Sequence, residues 1–198
     1  MVKRTAATAN TATAKKAMPK KKKKVLPLRP AANGPVADAF WAMIARIETV
    51  SGGELEAACA AFRTELEALD DVNLLEMSRQ FGEAMVRAMD YELWSGAYAL
   101  HGGCSDDSFW DFRAGLVALG RDHYEAALRD PDTLAAIPDV ENRTLYEGFQ
   151  YQPGTVLEGR GLADKPPAHG PGGVEPTREW IPEGEHERRF PRLSALTA

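Results

Sequence analysis

The sequence predicts an all-α, compact helical domain of about six to eight helices, and three observations carry that prediction. Apolar residues recur at three- and four-residue spacing between Ala37 and Gln150. Start and stop signals punctuate the pattern, chiefly Gly102–Gly103 and Asp130–Pro131–Asp132. No alternating run long enough for a sheet strand interrupts it.

The body opens at Asn33–Gly34–Pro35, where Pro35 suits a first helical position. Phe40, Ile44 and Ile47, with Ala37 and Trp41, form the first apolar stripe. Ser51–Gly52–Gly53–Glu54 reads as a capping box for a second helix carrying Leu55, Ala58, Cys59, Phe62, Leu66 and Leu69. Asn73 to Glu76 reads as the cap of a third, with Leu74, Met77, Phe81, Met85 and Ala88 on one face. Leu93, Trp94, Ala97, Leu100 and His101 continue after Asp90, until Gly102–Gly103 supplies the left-handed turn that closes a helix. Ser105–Asp106–Asp107 starts the next, whose core face is Phe109, Phe112, Leu116 and Leu119. Beyond Gly120 a short segment holds Tyr124, Ala127 and Leu128, and Asp130–Pro131–Asp132 is another start signal. A final helix is expected from about Val140 to Gln150, burying Leu145, Tyr146 and Phe149.

Composition divides the chain into three parts: residues 1–32, 33–152 and 153–198. Hydrophobic content of 44% and charged content of 27% are ordinary for a globular protein. Of 24 Lys and Arg, ten lie in residues 1–30, which hold no acid. The remaining 14 face all 29 acids, so the arm carries +10 and the rest −15. Too little apolar content lies in the arm to offset ordering entropy, and it is expected to be disordered. From Pro153 onward seven Pro and seven Gly predict an extended, mostly non-helical tail, docked in places through Trp180, Ile181, Phe190 and Leu193. His169 and His186 in that tail read as solvated. No run approaches the ~18 apolar residues of a membrane span, and no secretory signal is evident. With two cysteines and no disulfide framework, a reducing cytoplasm is the expectation, and association with the nucleoid would follow from the arm.

One polar cluster could carry chemistry: Trp94, His101, Cys104, Ser105, Asp106, Asp107 and Arg113, with Asp111 beside them. Histidine and carboxylates at a helix junction could bind a metal or an anion. Capping is the simpler reading. A Gly-Gly stop followed by a Ser cap and two first-turn acids needs no ligand, Arg113 would pair with Asp107 or Asp111, and Cys104 would be a small buried hydrophobe. The spacing His-x-x-Cys-x-Asp-Asp matches no established metal motif, so neither a metal nor a cofactor is expected. Trp41, Trp94 and Trp110 read as core before they read as a ligand pocket, and His123–Tyr124 lacks the carboxylate an acid–base pair would want.

The arm's Lys15, Lys16, Lys20, Lys21, Lys22, Lys23 and Lys24 form a polyanion-binding candidate. Ten positive charges without an acid suffice to hold a phosphate backbone through counterion release, and a purely solubilising tail is the bland alternative. No aromatic residue is interleaved, so base stacking and sequence readout are not expected.

The stretch from Leu93 to Arg113, with its Gly102-Gly103-Cys104-Ser105-Asp106-Asp107 block, resembles a bacterial family called domain of unknown function 4240. The likeness runs from Phe40–Trp41 to Gly120–Arg121 and Asp130–Pro131–Asp132. Members of that family often occur beside WGR domains, which are associated with DNA-damage proteins, and the resemblance supports the fold while naming no reaction. Where the family commonly carries a Trp after the Phe-Arg pair this chain has Gly115, which predicts a looser pocket if that Trp packs a wall.

Two functions follow as expectations. The first is a non-enzymatic accessory protein whose acidic body binds a protein partner and whose arm contacts nucleic acid or other polyanions. The second is an enzyme, metal-dependent in one form, with its site at the 101–113 junction.

Overall fold

The computed structural model describes residues 37–162 and 176–196; the lysine-rich arm and His169 lie outside them. All regular structure among these residues is helical, apart from one isolated bridge between Asp90 and Thr177. Six helices carry the body: α1 (Asp38–Ser51), α2 (Leu55–Glu67), α3 (Asp71–Arg87), α4 (Tyr91–His101), α5 (Asp106–Ala118) and α6 (Arg121–Arg129). A 3-10 turn over Pro131–Ala136 leads to the shorter α7 (Val140–Thr144), α8 (Glu147–Gln150) and α9 (Gln152–Gly159). The C-terminal segment adds a 3-10 turn, α10 (His186–Arg189) and α11 (Pro191–Ser194).

Helix α5 is the hub, touching α1, α3, α4, α6, α7 and α8. Its sequence permits that, because apolar and small residues surround it on every side. Phe109, Phe112, Ala114, Gly115, Leu116 and Val117 are all buried. Around it Phe62 stacks on Phe149 (4.6 Å between ring centroids), and Trp41 leans on Tyr124 (5.0 Å). Each such ring contributes about 1.5–3 kcal/mol by leaving water.

Four local expectations are corrected. Ser51 is the last residue of α1, its Oγ donating to the Glu48 carbonyl, and α2 starts from Glu54 without a side-chain cap. Two glycines in succession, at φ +60° and +88°, turn the chain too tightly for Ser51 to reach the next helix. Helix α3 is capped three residues before the predicted cap, because Asp70 Oδ1 accepts from the Asn73 amide at 2.8 Å. The single helix expected over Val140–Gln150 breaks at Leu145, which is exposed (37%), while Phe149 stays buried. The cause lies in α5. A Cβ at Gly115 would sit 2.6–2.8 Å from the Thr144 backbone, so α7 ends where the two backbones meet. The position is therefore filled by main chain, and no looser pocket opens there. Finally, α9 is helical across the expected start of the tail, with Pro153 in its first turn, where a missing N–H costs nothing.

The C-terminal segment docks on α4 and the 131–136 turn. Of the four expected anchors, Phe190 and Leu193 are fully buried and Ile181 packs against the core, whereas Trp180 is 40% exposed. His186 is buried rather than solvated, its Nε2 lying 2.9 Å from the Ile181 carbonyl and its ring against Tyr98.

Candidate functional site

The junction between α4 and α5 forms as its sequence directs. Gly102 takes the left-handed conformation (φ +64°), and the Gly102 and Gly103 amides both donate to the Tyr98 carbonyl, closing the C-terminus of α4. Ser105 Oγ accepts from the Ser108 amide at 3.2 Å, with Asp106 and Asp107 exposed in the first turn of α5. Capping accounts for this part of the cluster.

The other members are tied down by structure. The Trp94 indole lies parallel to Phe109 (4.7 Å, 4°) and donates its Nε1–H to the Cys104 carbonyl at 2.9 Å. Burial pushes the Cys104 thiol up to about 12, leaving an inert, half-buried thiol packed against the core. Thr144 Oγ1 donates to the Val140 carbonyl at 2.7 Å, so towards His101 Nε2, 3.2 Å away, it can only accept. The ring therefore carries its proton on Nε2. Burial pushes its pKa down to about 4, so His101 is neutral at physiological pH.

Arg113 does not pair with Asp107 or Asp111. It is buried (2%) and turned the other way, donating from Nη1 to the Met85 carbonyl at 2.7 Å and from Nε to the Phe109 carbonyl at 3.4 Å. Its guanidinium lies 4.5 Å over the Trp110 ring. Met85 belongs to the last turn of α3, where the helix runs out of amides for its carbonyls. Arg113 takes the Met85 carbonyl, and the Tyr124 hydroxyl adds a bond at 2.7 Å to the Ala84 carbonyl, which also accepts the Ala88 amide. Burial pushes the arginine down to about 10, and the aromatic face and the helix C-terminus offset part of that cost. Tyr124 is thus a buried cap and His123 is exposed, so the two are not an acid–base pair.

Among the described residues, Asp111 is a carboxyl pushed towards its neutral form. Burial first, then Glu147 and Asp107, push its pKa up to about 6. Gln150 Nε2 donates to its Oδ1, while Gln150 Oε1 is buried without a hydrogen-bond partner. Among the described residues no three His, Cys, Asp or Glu side chains are grouped so as to hold a metal ion. A surface depression of about 360 Å³ lies elsewhere, between Ala135 and Glu141 and against Leu196.

A second polar cluster was not recognised in the sequence. Asp90, Glu92, Asp130 and Asp132 face Arg178, Arg189 and Arg192 of the C-terminal segment. Asp130 and Asp132 read locally as a helix start, and the arginines sat in a Pro/Gly-rich stretch. The available signal was compositional: the basic residues beyond the arm are arginines except for Lys165. Arginine is the residue suited to forked, partly buried carboxylate pairing.

Among the described residues no helix is long and apolar enough to cross a membrane. A family model described as "Protein of unknown function (DUF4240)" matches residues 36–156. Comparison with curated proteins and with solved structures returned no match.

Proposed function

The chain belongs to this family of proteins of unknown function, and we propose that within it the protein is a non-enzymatic accessory factor. Its acidic body binds a protein partner, and its basic arm holds nucleic acid or another polyanion without sequence preference, in the cytoplasm and at the nucleoid. The charge division carries this reading: +10 without one acid in residues 1–30, against −15 in the remainder. The junction adds support, since Trp94, His101, Ser105 and Arg113 each spend their hydrogen-bonding groups on neighbouring backbone or side chain. That leaves little there to act on a substrate.

Fluorescence anisotropy of a labelled duplex tests the arm, using the full chain, residues 31–198 and an arm peptide. The full chain should bind at micromolar Kd or weaker, losing about a thousandfold between ~50 and ~200 mM salt if six or more phosphates are engaged. The arm peptide should bind more tightly than the full chain, because tethering holds the acidic body near the arm at an effective concentration on the order of millimolar. Equal binding by residues 31–198, or no salt dependence, would refute the reading.

A further inference from the structure

The acids on and beside α4 are partnered in an unusual way. Both Asp132 carboxylate oxygens are engaged from the C-terminal segment: Oδ1 by the Arg192 amide (3.0 Å) and the Leu193 amide (2.9 Å), Oδ2 by Arg192 Nε (3.0 Å). Glu92 is met by Arg178 Nη1 at 2.5 Å and by Arg189. Asp90 uses Oδ1 to cap its own helix, yet forks with Arg178 through Nε (2.7 Å) and Nη2 (2.6 Å) and accepts the Thr177 hydroxyl at 2.6 Å. Side-chain exposures of 5% for Asp90, 15% for Glu92 and 7% for Asp132 show that these acids are covered. All three lie within the family-matched residues 36–156, whereas the residues that cover them lie outside that match.

Backbone and apolar contacts follow the same course. Thr177 bonds to Met89 and Tyr91 through its amide and carbonyl, as an added strand would. The Ile181 amide donates to Ser95 Oγ, Trp180 sets its ring edge-on to Trp94 and Tyr98, and Phe190 and Leu193 are buried. Strand-like main-chain bonds at Thr177, forked arginines and spaced apolar anchors together are how a domain recognises a peptide.

We propose that α4 and the 131–136 turn form a peptide-binding groove for a segment of the Thr-Arg-x-Trp-Ile…Arg-Phe-Pro-Arg-Leu kind, non-helical over its first part and wound into short helices around Phe190 and Leu193, and that residues 176–196 are its resident, displaceable occupant. A partner carrying the same arginine and aromatic spacing binds by replacing that segment. This rests on the reading of the body as a protein-binding module and is independent of the arm. Buried carboxylates with forked acceptors select arginine over lysine, and the Phe190 and Leu193 sockets select the partner's register.

The test uses the full chain with a protease site inserted within residues 163–175, cut after folding. A fluorescent synthetic peptide of residues 176–196 should then exchange onto the cut chain, saturably and in competition with unlabelled peptide. It should bind the uncut chain at least about a hundredfold more weakly, because the tethered segment competes at high effective concentration. Peptides with R178A or R192A should lose tenfold or more. An R188A peptide should bind like the parent, since Arg188 is 80% exposed and pairs with Glu185 of its own segment. Placing the substitutions in the peptide leaves the folding of the body untouched. The proposal is overturned if the cut chain keeps its helical signal but takes up no peptide, if R188A is as damaging as R192A, or if the uncut chain is a dimer filled from a second copy. DNA anisotropy reports on the arm separately, so failure of one leaves the other standing.

Discussion

His101 and Asp111 respond to acid in opposite directions. Burial holds folded His101 near about 4, so as pH falls from ~6.5 the unfolded chain takes up its proton first. Its contribution is therefore present above pH ~6.5 and is lost as pH falls towards 4. Asp111, pushed up to about 6 chiefly by burial, takes its proton first in the folded state. That contribution is fully present below pH ~3.9 and is lost as pH rises through 6. Asp111→Asn should therefore raise stability at pH 7.5, by roughly 1 kcal/mol once solvent screening of a half-buried group is allowed for, and change little at pH 4. His101→Gln should make the fall in Tm between pH 6.5 and 4.5 shallower. Thermal melts of both variants across pH 4–8 check this; a destabilised Asp111→Asn at pH 7.5 would mean that Gln150 needs the charged carboxylate. Ser105→Ala should cost about 1 kcal/mol through loss of the amide acceptor, and Asp106→Asn only ~0.3–1 kcal/mol through the helix dipole. If chelator lowered the melting temperature and a divalent ion restored it, capping would not be the whole account of this junction.

Element boundaries were legible where the signal is local and unopposed. Ser105 caps α5 as its position suggests, and Asp90 caps α4 in the same way, because an N-cap needs only a side-chain oxygen and an amide three residues on. The predicted start at Asn73 failed because Asp70 offers the same bond earlier, and the hydrophobic stripe does not distinguish the two. The break at Leu145 had no local sign at all. It depends on Gly115, about 30 residues earlier in the chain, letting the Thr144 backbone approach α5. Gly115→Ala should consequently destabilise by about 2–3 kcal/mol, since backbone on both sides must move, and the larger Gly115→Trp should prevent folding. Urea melts with an unchanged slope would show a pure stability loss; a neutral Gly115→Ala would mean that α7 can shift freely.

At the scale of the molecule, the C-terminal segment and the family domain share one core. Phe190 and Leu193 are both fully buried, so deleting residues 176–198 should cost about 4 kcal/mol or more and lower Tm by roughly 8–16 °C. The transition should stay cooperative, because α1, α3, α4, α6, α7 and α8 pack on α5 without that segment. A loss of helical signal well beyond the deleted residues would show instead that α4 depends on it. Deleting residues 1–30 should leave Tm nearly unchanged, because their composition offers no packed surface.

The sequence by itself determined the helical class, the Gly-Gly-x-Ser junction of α4 and α5, the buried aromatic stripes and the division of charge. Each of these follows from spacing or chemistry within a few residues. Tertiary structure decided which helix became the hub, where Arg113 pointed, and which acids met which arginines. The Arg113 to Met85 bond spans 28 positions, Arg189 to Asp130 spans 59, and Arg189 to Glu92 spans 97. Over such separations, long-range packing selects a side chain's partner, and many acids are equally eligible in a chain with 29 of them. Arg113 shows the reason most directly. Proximity in the chain offered it Asp107 or Asp111, but burying it against α3 supplied a carbonyl at a helix C-terminus and an aromatic face, and that environment was available only after the helices had packed.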